Sequence, residues 1–129
     1  MNNAQKKIFV ADDDGDILDV IEMILKTEGY TVNTTKNAND VFAHMEENLP
    51  DLILLDIWMS GIDGREICER LKQNNATQHI PILFISANSN IVEITNDYAA
   101  DGYIPKPFEM AVLLKRVRDI LRKKQDKLI

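Results

Sequence analysis

Four carboxylates of this chain stand where apolar runs end. Residues 12–14 are three aspartates that follow an Ile-Phe-Val-Ala run, and Asp56 ends a Leu-Ile-Leu-Leu run. Carboxylates that are packed together raise one another's pKa and cost stability unless a cation lies among them. A hard divalent cation is the natural partner, and Mg²⁺ usually takes one or two carboxylates, waters and a phosphate. The residues therefore predict a Mg²⁺ site that handles a phosphate group.

A hydroxyl and an ammonium group stand at two further strand-like ends. Ser86 follows the apolar run of residues 80–85, and Lys106 stands between two prolines after a short Tyr-Ile run. A hydroxyl can donate to a phosphoryl oxygen, and a lysine supplies a compact positive charge that suits one. Such a serine is also typical of a cap, and such a lysine of a solvated surface. Neither residue is specific alone, but their placement beside the carboxylates favours a phosphate site.

Apolar periodicity predicts five strands that alternate with five helices to position these residues. The predicted strands are residues 8–11, 30–34, 52–56, 80–85 and 103–104. The predicted helices are residues 16–28, a helix marked by Val41, Phe42, Met45 and Leu49, a helix through Ile67, Cys68 and Leu71, residues 91–100, and residues 108 to about 124. The last helix is expected to carry Val112, Leu113, Val117, Ile120 and Leu121 inward.

Such alternation predicts an α/β fold, a doubly wound five-stranded parallel sheet with strand order 2-1-3-4-5. The first, third and fourth strands have the densest apolar runs and are expected in the interior. Pro105 cannot donate to a strand ladder, which places the fifth strand at an edge. In this kind of sheet, ligands bind at the carboxyl ends of the strands where the strand order reverses. That point lies between the first and third strands, which end in residues 12–14 and Asp56.

Length and composition limit the classes of protein that fit. The chain has 129 residues, which predicts one domain over residues 1–129 with a core of about 7–122. Its net charge of −6 argues against direct nucleic-acid binding, and its single cysteine, Cys68, excludes an intramolecular disulfide. No apolar run reaches the length of a membrane span or of a signal-peptide core. We therefore expect a soluble, cytoplasmic protein without membrane contact.

At these residues the sequence resembles the receiver domain of two-component response regulators, of the chemotaxis-regulator type, over about residues 7–122. The matching segments are the acidic pair after the first strand, Asp56, the loop of residues 59–64, the pair Ser86-Ala87 and residues 102–108. The resemblance implies the family's flavodoxin-like fold. Two positions depart from the family's pattern, because Gly15 and Ser60 stand where proline is common.

The resemblance also implies a role for each site residue. Asp56 matches the phosphoacceptor, and Asp13 matches the direct Mg²⁺ ligand. Asp12 matches the residue that holds the metal through water, and the backbone carbonyl of Trp58 completes the protein ligands. Lys106 matches a residue that binds the phosphoryl group.

A second group of implied roles concerns the response to phosphorylation. Ser86 matches a residue that binds the phosphoryl group and switches with it, and Tyr103 matches the aromatic switch residue. The peptide bond before Pro107 is expected to be cis. Trp58 and Asn88 match positions that tune dephosphorylation, and the bulky indole is hypothesised to obstruct the attacking water.

The function implied is a signalling receiver that acts through its partners. It would take a phosphoryl group from a histidine kinase or histidine phosphotransfer protein onto Asp56, with Mg²⁺ as cofactor. Catalysis would be limited to its own phosphorylation and dephosphorylation, so the protein is not expected to be an enzyme. The face formed by helix 4, strand 5 and helix 5 would change for a downstream protein target, and the family also allows a phosphorylation-dependent homodimer.

Two other interpretations stay open on the sequence. Asp12-x-Asp14-Gly15 resembles the start of haloacid-dehalogenase-type phosphohydrolases, in which Asp12 would be the nucleophile and Asp14 the general acid. That interpretation leaves Asp56 and Lys106 without a role. The second is a pseudo-receiver that binds partners without phosphorylation, which a missing acidic residue would favour. Whether the chain acts alone or belongs to a longer protein is also open.

Overall fold

The alternation of strands and helices is present in a computed structural model of the chain, which describes residues 6–59 and 61–127. Ser60, one of the two departures from the family's pattern, lies outside the described residues. The strands found within them are β1 (Lys7–Ala11), β2 (Thr31–Thr35), β3 (Leu52–Asp56), β4 (Trp58–Met59), β5 (Ile62–Asp63), β6 (Ile82–Ser86) and β7 (Gly102–Pro105). The helices are α1 (Gly15–Thr27), α2 (Asp40–Glu47), α3 (Gly64–Gln73), α4 (Ile91–Asp97) and α5 (Met110–Lys127).

The main sheet has the predicted topology. Its strand order is β2-β1-β3-β6-β7, and every neighbouring pair is parallel. This is the predicted order 2-1-3-4-5 once the short β4 and β5 are left out of the numbering. β1, β3 and β6 are interior strands, and β7 with Pro105 is an edge strand, as predicted. The doubly wound α/β class is therefore confirmed.

Two apolar layers cover the sheet because alternate strand residues point to opposite faces. Ile8 and Val10 of β1 pack with residues of α1 and α5, whereas Phe9 and Ala11 pack with residues of α2, α3 and α4. All five residues of β3 and of β6 are buried. This burial on both faces fixes the register of the central strands and thus the places where their carboxyl ends emerge.

Some predicted boundaries were wrong by two or three residues. The fourth predicted strand was expected from Ile80, but β6 begins at Ile82. The Ile80 N–H donates to the Thr77 carbonyl in a turn, and Pro81 has no N–H. The fourth helix was expected to reach Ala100, but α4 ends at Asp97, and Ala99 adopts a left-handed φ of 56°.

The orientation of one residue in the last helix was also predicted wrongly. Val112 was expected to point inward, but it is 37 % exposed. Leu113, Val117 and Leu121 are buried at intervals of four residues. Val112 lies about 100° around the helix from Leu113 and so falls outside that stripe. Among the helices of the described residues, none has both the length and the apolar character needed to cross a membrane.

The short hairpin of β4 and β5 was expected to be a loop. Trp58 pairs with Asp63, and Met59 pairs with Ile62, in an antiparallel ladder. Met59 is fully buried, so the hairpin is anchored to the core directly after β3. The segment that follows Asp56 is consequently held by both backbone pairing and side-chain packing.

Candidate functional site

The first acidic residue of the site is fixed at the carboxyl end of β1. Asp12 is fully buried, and its backbone N–H donates to the Thr35 carbonyl at 3.1 Å. Its carboxylate Oδ1 accepts the N–H of Asp14 at 2.9 Å, which closes a turn over the end of the strand. Asp12 is therefore held in place at the carboxyl end of β1 and does not face solvent.

Asp56 lies beside it at the carboxyl end of β3. Ala11 of β1 is in register with Leu55 of β3, so the residues that follow, Asp12 and Asp56, emerge side by side. The side chain of Asp56 is buried, and its Oδ1 accepts a long hydrogen bond of 3.4 Å from the Trp58 N–H. Gly64 packs against the backbone carbonyl of Asp56 so closely that a Cβ atom would collide with it. The glycine thus lets the start of α3 seat against the end of β3.

Three carboxylates form one cluster in this crevice. Asp12, Asp13 and Asp56 each offer an oxygen, and these oxygens lie within 4.8 Å of one another. Asp12 and Asp56 are buried, whereas Asp13 is exposed at the mouth of the crevice. The convergence of the first and third strand ends, predicted from the sequence, is what the structure has.

Lys106 brings a positive charge to the cluster from the far edge of the sheet. Its Nζ lies 2.9 Å from Asp12 Oδ2 and 3.7 Å from Asp56 Oδ2, and its side chain is 18 % exposed. Its backbone N–H donates to the Ser86 carbonyl at 2.9 Å, which ties the end of β7 to the end of β6. The following peptide bond to Pro107 is cis, as expected. The hydrogen bond to Ser86 holds the backbone of Lys106 beside the end of β6.

The charges in the crevice perturb one another. Burial, followed by the Asp12 carboxylate, raises the pKa of Asp56 to about 6, although Lys106 acts in the opposite direction. Burial by itself would lower the pKa of Lys106, but the Asp12 and Asp56 carboxylates outweigh it, so the pKa is raised. The Lys106 ammonium group therefore does not fully offset the effects of burial and of the neighbouring carboxylates on Asp56.

The donor set fits a divalent cation. Asp12 Oδ2 is buried and, apart from its ion pair with Lys106, meets no hydrogen-bond donor. A buried carboxylate oxygen accepts more than one contact, so a cation can bind Asp12 Oδ2 beside Lys106. Carboxylate oxygens are the ligands that Mg²⁺ prefers. The crevice can hold such an ion through Asp12, Asp13 and Asp56.

Asp14 has a different role from Asp12 and Asp13. It is the N-cap of α1, and its Oδ1 accepts the N–H groups of Asp16 at 3.0 Å and of Ile17 at 3.3 Å. Both hydrogen bonds use the carboxylate to satisfy backbone N–H groups of the first helical turn, which is a structural role. This role does not suit the general acid that the phosphohydrolase interpretation requires.

Ser86 and Tyr103 lie on β6 and β7, the two successive strands on one side of β3. Ser86 is buried at the end of β6, and its Oγ accepts the N–H of Asn88 at 2.9 Å. Tyr103 of β7 is in register with Phe84 of β6 and is partly buried against the apolar layer of α2, α3 and α4. The roles of Ser86 and Tyr103 in switching stay predictions.

Arg116 contacts the predicted switch residue and was missed by sequence reasoning. Its guanidinium carbon lies 5.2 Å from the centroid of the Tyr103 ring. In the sequence, Arg116 is one of several basic residues of the last helix, and nothing in their spacing singles it out. The contact depends on how α5 packs beside β7, which is a tertiary feature.

Trp58 is next to Asp56 through its backbone N–H, which donates to Asp56 Oδ1 at 3.4 Å. It begins β4, two residues after Asp56, and its side chain is 59 % exposed. The shielding of Asp56 by the indole stays a prediction. The use of the Trp58 backbone carbonyl as a metal ligand also stays a prediction.

Comparisons with known proteins agree with this fold and site. Residues 8–118 match the family described as "Response regulator receiver domain". The phosphate regulon transcriptional regulatory protein PhoB of Rhizobium meliloti is 34 % identical over 119 residues, which cover 91 % of this chain and 52 % of that protein. The chain thus spans about half the length of this curated relative.

Solved structures give the same result. The response regulator receiver domain protein of Methanospirillum hungatei superposes with a TM-score of 0.86 at 27 % identity, covering 95 % of this chain and 98 % of that one. The receiver domain of NtrX from Brucella abortus has a TM-score of 0.81 at 30 % identity, covering 89 % and 98 %.

The fold and the strand-end site define a small α/β signalling module. This chain belongs to the response regulator receiver domain family. It functions in phosphorylation-dependent signal transduction, as a signalling module rather than as an enzyme in the ordinary sense. Neither the phosphohydrolase nor the pseudo-receiver interpretation is favoured by these relatives.

Proposed function

We propose that the chain accepts a phosphoryl group on Asp56 from a histidine kinase or a histidine phosphotransfer protein, with Mg²⁺ as cofactor. The observation that supports this most directly is the cluster of Asp12, Asp13 and Asp56 oxygens within 4.8 Å, with Lys106 Nζ at 2.9 Å from Asp12 and 3.7 Å from Asp56. We propose further that residues 1–129 form a single receiver domain with a core of about 7–122. The predicted cytoplasmic location stays a prediction.

The proposed reaction is an in-line displacement at phosphorus. A carboxylate oxygen of Asp56 bonds to the phosphorus atom while the bond from phosphorus to the donor breaks, and the electron pair leaves with the donor. Phosphoryl transfer depends mostly on alignment and charge neutralisation, so a weak nucleophile is sufficient. Asp12, Asp13, Asp56 and the Trp58 carbonyl would hold Mg²⁺, which would supply charge neutralisation for the phosphoryl group. Lys106 balances the remaining negative charge.

The proposed output is a change of surface. Ser86 is proposed to bond a phosphoryl oxygen, and Tyr103 to turn into the space that Ser86 leaves. Because β7 lies between α4 and α5, such a rotation changes the face that these three elements share. A local change of charge would thereby shift a two-state element toward the form that a downstream protein target binds. A phosphorylation-dependent homodimer through the same face is part of this proposal.

The decisive experiment is intact-mass spectrometry after incubation with acetyl phosphate and MgCl₂. Wild type should gain one phosphoryl group, and Asp56→Asn should gain none. Asp19→Asn is the matched control, because Asp19 is an exposed aspartate on α1 and its substitution removes the same charge. EDTA should prevent the gain in wild type and in the control.

The same samples separate the competing functions. Steady release of phosphate from small phosphate esters, lost in Asp12→Asn but retained in Asp56→Asn, would support the phosphohydrolase. Absence of any mass change in wild type, together with unchanged partner binding in Asp56→Asn, would support the pseudo-receiver. Either result would overturn the proposal.

A further inference from the structure

A lysine outside the predicted site lies beside the start of α1, next to the acidic residues that follow β1. Lys36 follows β2, and the preceding carbonyl, that of Thr35, accepts the backbone N–H of Asp12 at 3.1 Å. Lys36 therefore leaves the sheet directly beside Asp12. Its side chain then extends across the first residue of α1, because its Cε and Nζ both lie 2.9 Å from the place where a Cβ atom on Gly15 would be.

Gly15 makes room for this ammonium group. A Cβ at 2.9 Å from a side-chain atom is closer than ordinary van der Waals contact, so an alanine at position 15 would push the tip of Lys36 away. The displaced atoms are the far end of a flexible side chain, and Gly15 is the first helical residue of α1. The alanine would thus move Lys36 without disturbing the helix, in which alanine is the more favourable residue.

The carboxylate cluster consequently lies between two lysines that follow the two edge strands of the sheet. Lys106 after β7 is paired with Asp12 and Asp56 at 2.9 and 3.7 Å. Lys36 after β2 is exposed, and its ammonium group lies beside a residue only two positions from Asp13. The second positive charge is therefore solvent-exposed and lies beside the residue that follows the acidic run of residues 12–14.

We propose that Lys36 is a specificity-determining residue of the phosphorylation site, a proposal that rests on the function proposed above. Its ammonium group repels a divalent cation at Asp12 and Asp13 and attracts an anionic phosphoryl donor. The effects on the two ligands have opposite signs because the ligands have opposite charges. A residue with a purely structural role would not produce this pair of opposed effects.

Two measurements test this on the full chain. Mg²⁺ binding is followed by the fluorescence of Trp58, the single tryptophan of the sequence, and independently by amide chemical shifts of residues 12–14. The rate of phosphorylation by acetyl phosphate is followed by intact mass at saturating Mg²⁺. Lys36→Gln should bind Mg²⁺ about two- to fivefold more tightly and should react with the dianionic donor more slowly by a similar factor.

The matched control is Lys26→Gln, which removes the same charge from the opposite end of α1. Lys26 is an exposed lysine that pairs with Glu22 at 2.7 Å, and it lies about 16 Å along the helix from Gly15, beyond the Debye length at physiological salt. Lys26→Gln should change neither measurement. Gly15→Ala should shift both measurements in the direction of Lys36→Gln, and should add nothing in the Lys36→Gln background.

The outcomes distinguish this inference from the proposed function. Equal effects of Lys36→Gln and Lys26→Gln would mean that only the net charge of the protein matters, and would overturn the role of Lys36. An increase or a decrease in both Mg²⁺ affinity and phosphorylation rate in Lys36→Gln would overturn it as well. If wild type binds Mg²⁺ and gains a phosphoryl group but Lys36→Gln matches it, only the inference fails. If wild type does neither, the proposed function fails and the inference fails with it.

Discussion

The guanidinium carbon of Arg116 lies 5.2 Å from the centroid of the Tyr103 ring. A cation over an aromatic face at this distance contributes about 0.5–1 kcal/mol at an exposed site. The contact joins α5 to β7, two of the three elements in the face that is proposed to change on phosphorylation. Arg116 therefore stabilises the orientation of Tyr103 seen in this structure.

Loss of that contact should favour the other orientation of Tyr103. We expect Arg116→Ala to raise the population of the alternative orientation about two- to fivefold before phosphorylation, the factor that corresponds to 0.5–1 kcal/mol. Incorporated 3-fluorotyrosine reports this, since the sequence has three tyrosines and Tyr103→Phe identifies the relevant signal. Arg116→Lys keeps a cation near the ring and should behave more like wild type. An unchanged signal in Arg116→Ala would mean that the contact has no bearing on the switch.

Removal of Lys106 should make the stability of the fold depend on Mg²⁺. Lys106→Ala leaves the buried Asp12 and Asp56 carboxylates without their 2.9 and 3.7 Å partner. Breaking a buried ion pair costs about 3 kcal/mol because the remaining charge is uncompensated. Thermal unfolding should therefore show a lower Tm for the variant in EDTA, and MgCl₂ should raise that Tm more than it raises the Tm of wild type.

Lys72→Ala is the control for that comparison. Lys72 pairs with Asp101 at 2.9 Å and is 20 % exposed, close to the exposure of Lys106. Asp101 precedes β7, whereas Lys106 follows it, so this pair lies at the opposite end of the strand. Its loss should lower the Tm without any response to Mg²⁺. Equal responses of the two variants to Mg²⁺ would argue against a cation site at Asp12 and Asp56.

The sequence was sufficient to predict the sheet and the convergence of the acids. Burial on both faces makes β3 a continuous apolar run, and the carboxyl ends of parallel strands must emerge at one edge. From these two facts it follows that Asp12 and Asp56 are neighbours, and the register of Ala11 with Leu55 agrees. The apolar patterns of the strands were therefore enough to predict which carboxylates lie together in the site.

Other parts of the site depend on tertiary packing and have no local signal. The β4–β5 hairpin has only two residues in each strand, too few for a period of two to be detected. The contact of Arg116 with Tyr103 and the extension of Lys36 over Gly15 join residues 13 and 21 positions apart in the sequence. Single basic residues in an amphipathic helix or after a strand do not reveal such partners.

Trp58 should slow the loss of the phosphoryl group. Trp58 stands two residues after Asp56 and is 59 % exposed, and we expect its indole to cover part of the approach to that carboxylate. Hydrolysis of an aspartyl phosphate needs a water in line with the bond that breaks. We expect Trp58→Ala to shorten the phosphorylated lifetime several-fold, measured by intact mass after removal of the donor. Trp58→Phe should lie between the two, and an unchanged decay in Trp58→Ala would remove the shielding role.

Asp63, the N-cap of α3, should contribute to the free energy of unfolding at neutral pH, and this contribution should be lost in acid. Asp63 Oδ1 accepts the N–H of Arg65 at 2.9 Å, and the Arg65 guanidinium lies 2.6 Å from Oδ2. The hydrogen bond from the Arg65 side chain is the main cause that lowers the pKa of Asp63 below its ordinary value. Asp63→Ala should therefore reduce the free energy of unfolding at pH 7 by about 1 kcal/mol, the usual effect of losing an N-cap.

The sign of the pH dependence follows from the direction of this shift. A carboxyl whose pKa is lower in the folded state stabilises the fold above its unfolded pKa of about 4, and that stabilisation is lost as the pH falls through the folded pKa. Urea unfolding from pH 7 to pH 2 should show a constant difference between wild type and Asp63→Asn down to about pH 4, and a shrinking difference below it. Arg65→Gln should reduce the wild-type advantage at pH 7, because it removes the partner that lowers the pKa. A difference that grows toward low pH would contradict the assignment of Asp63 as an ionised cap.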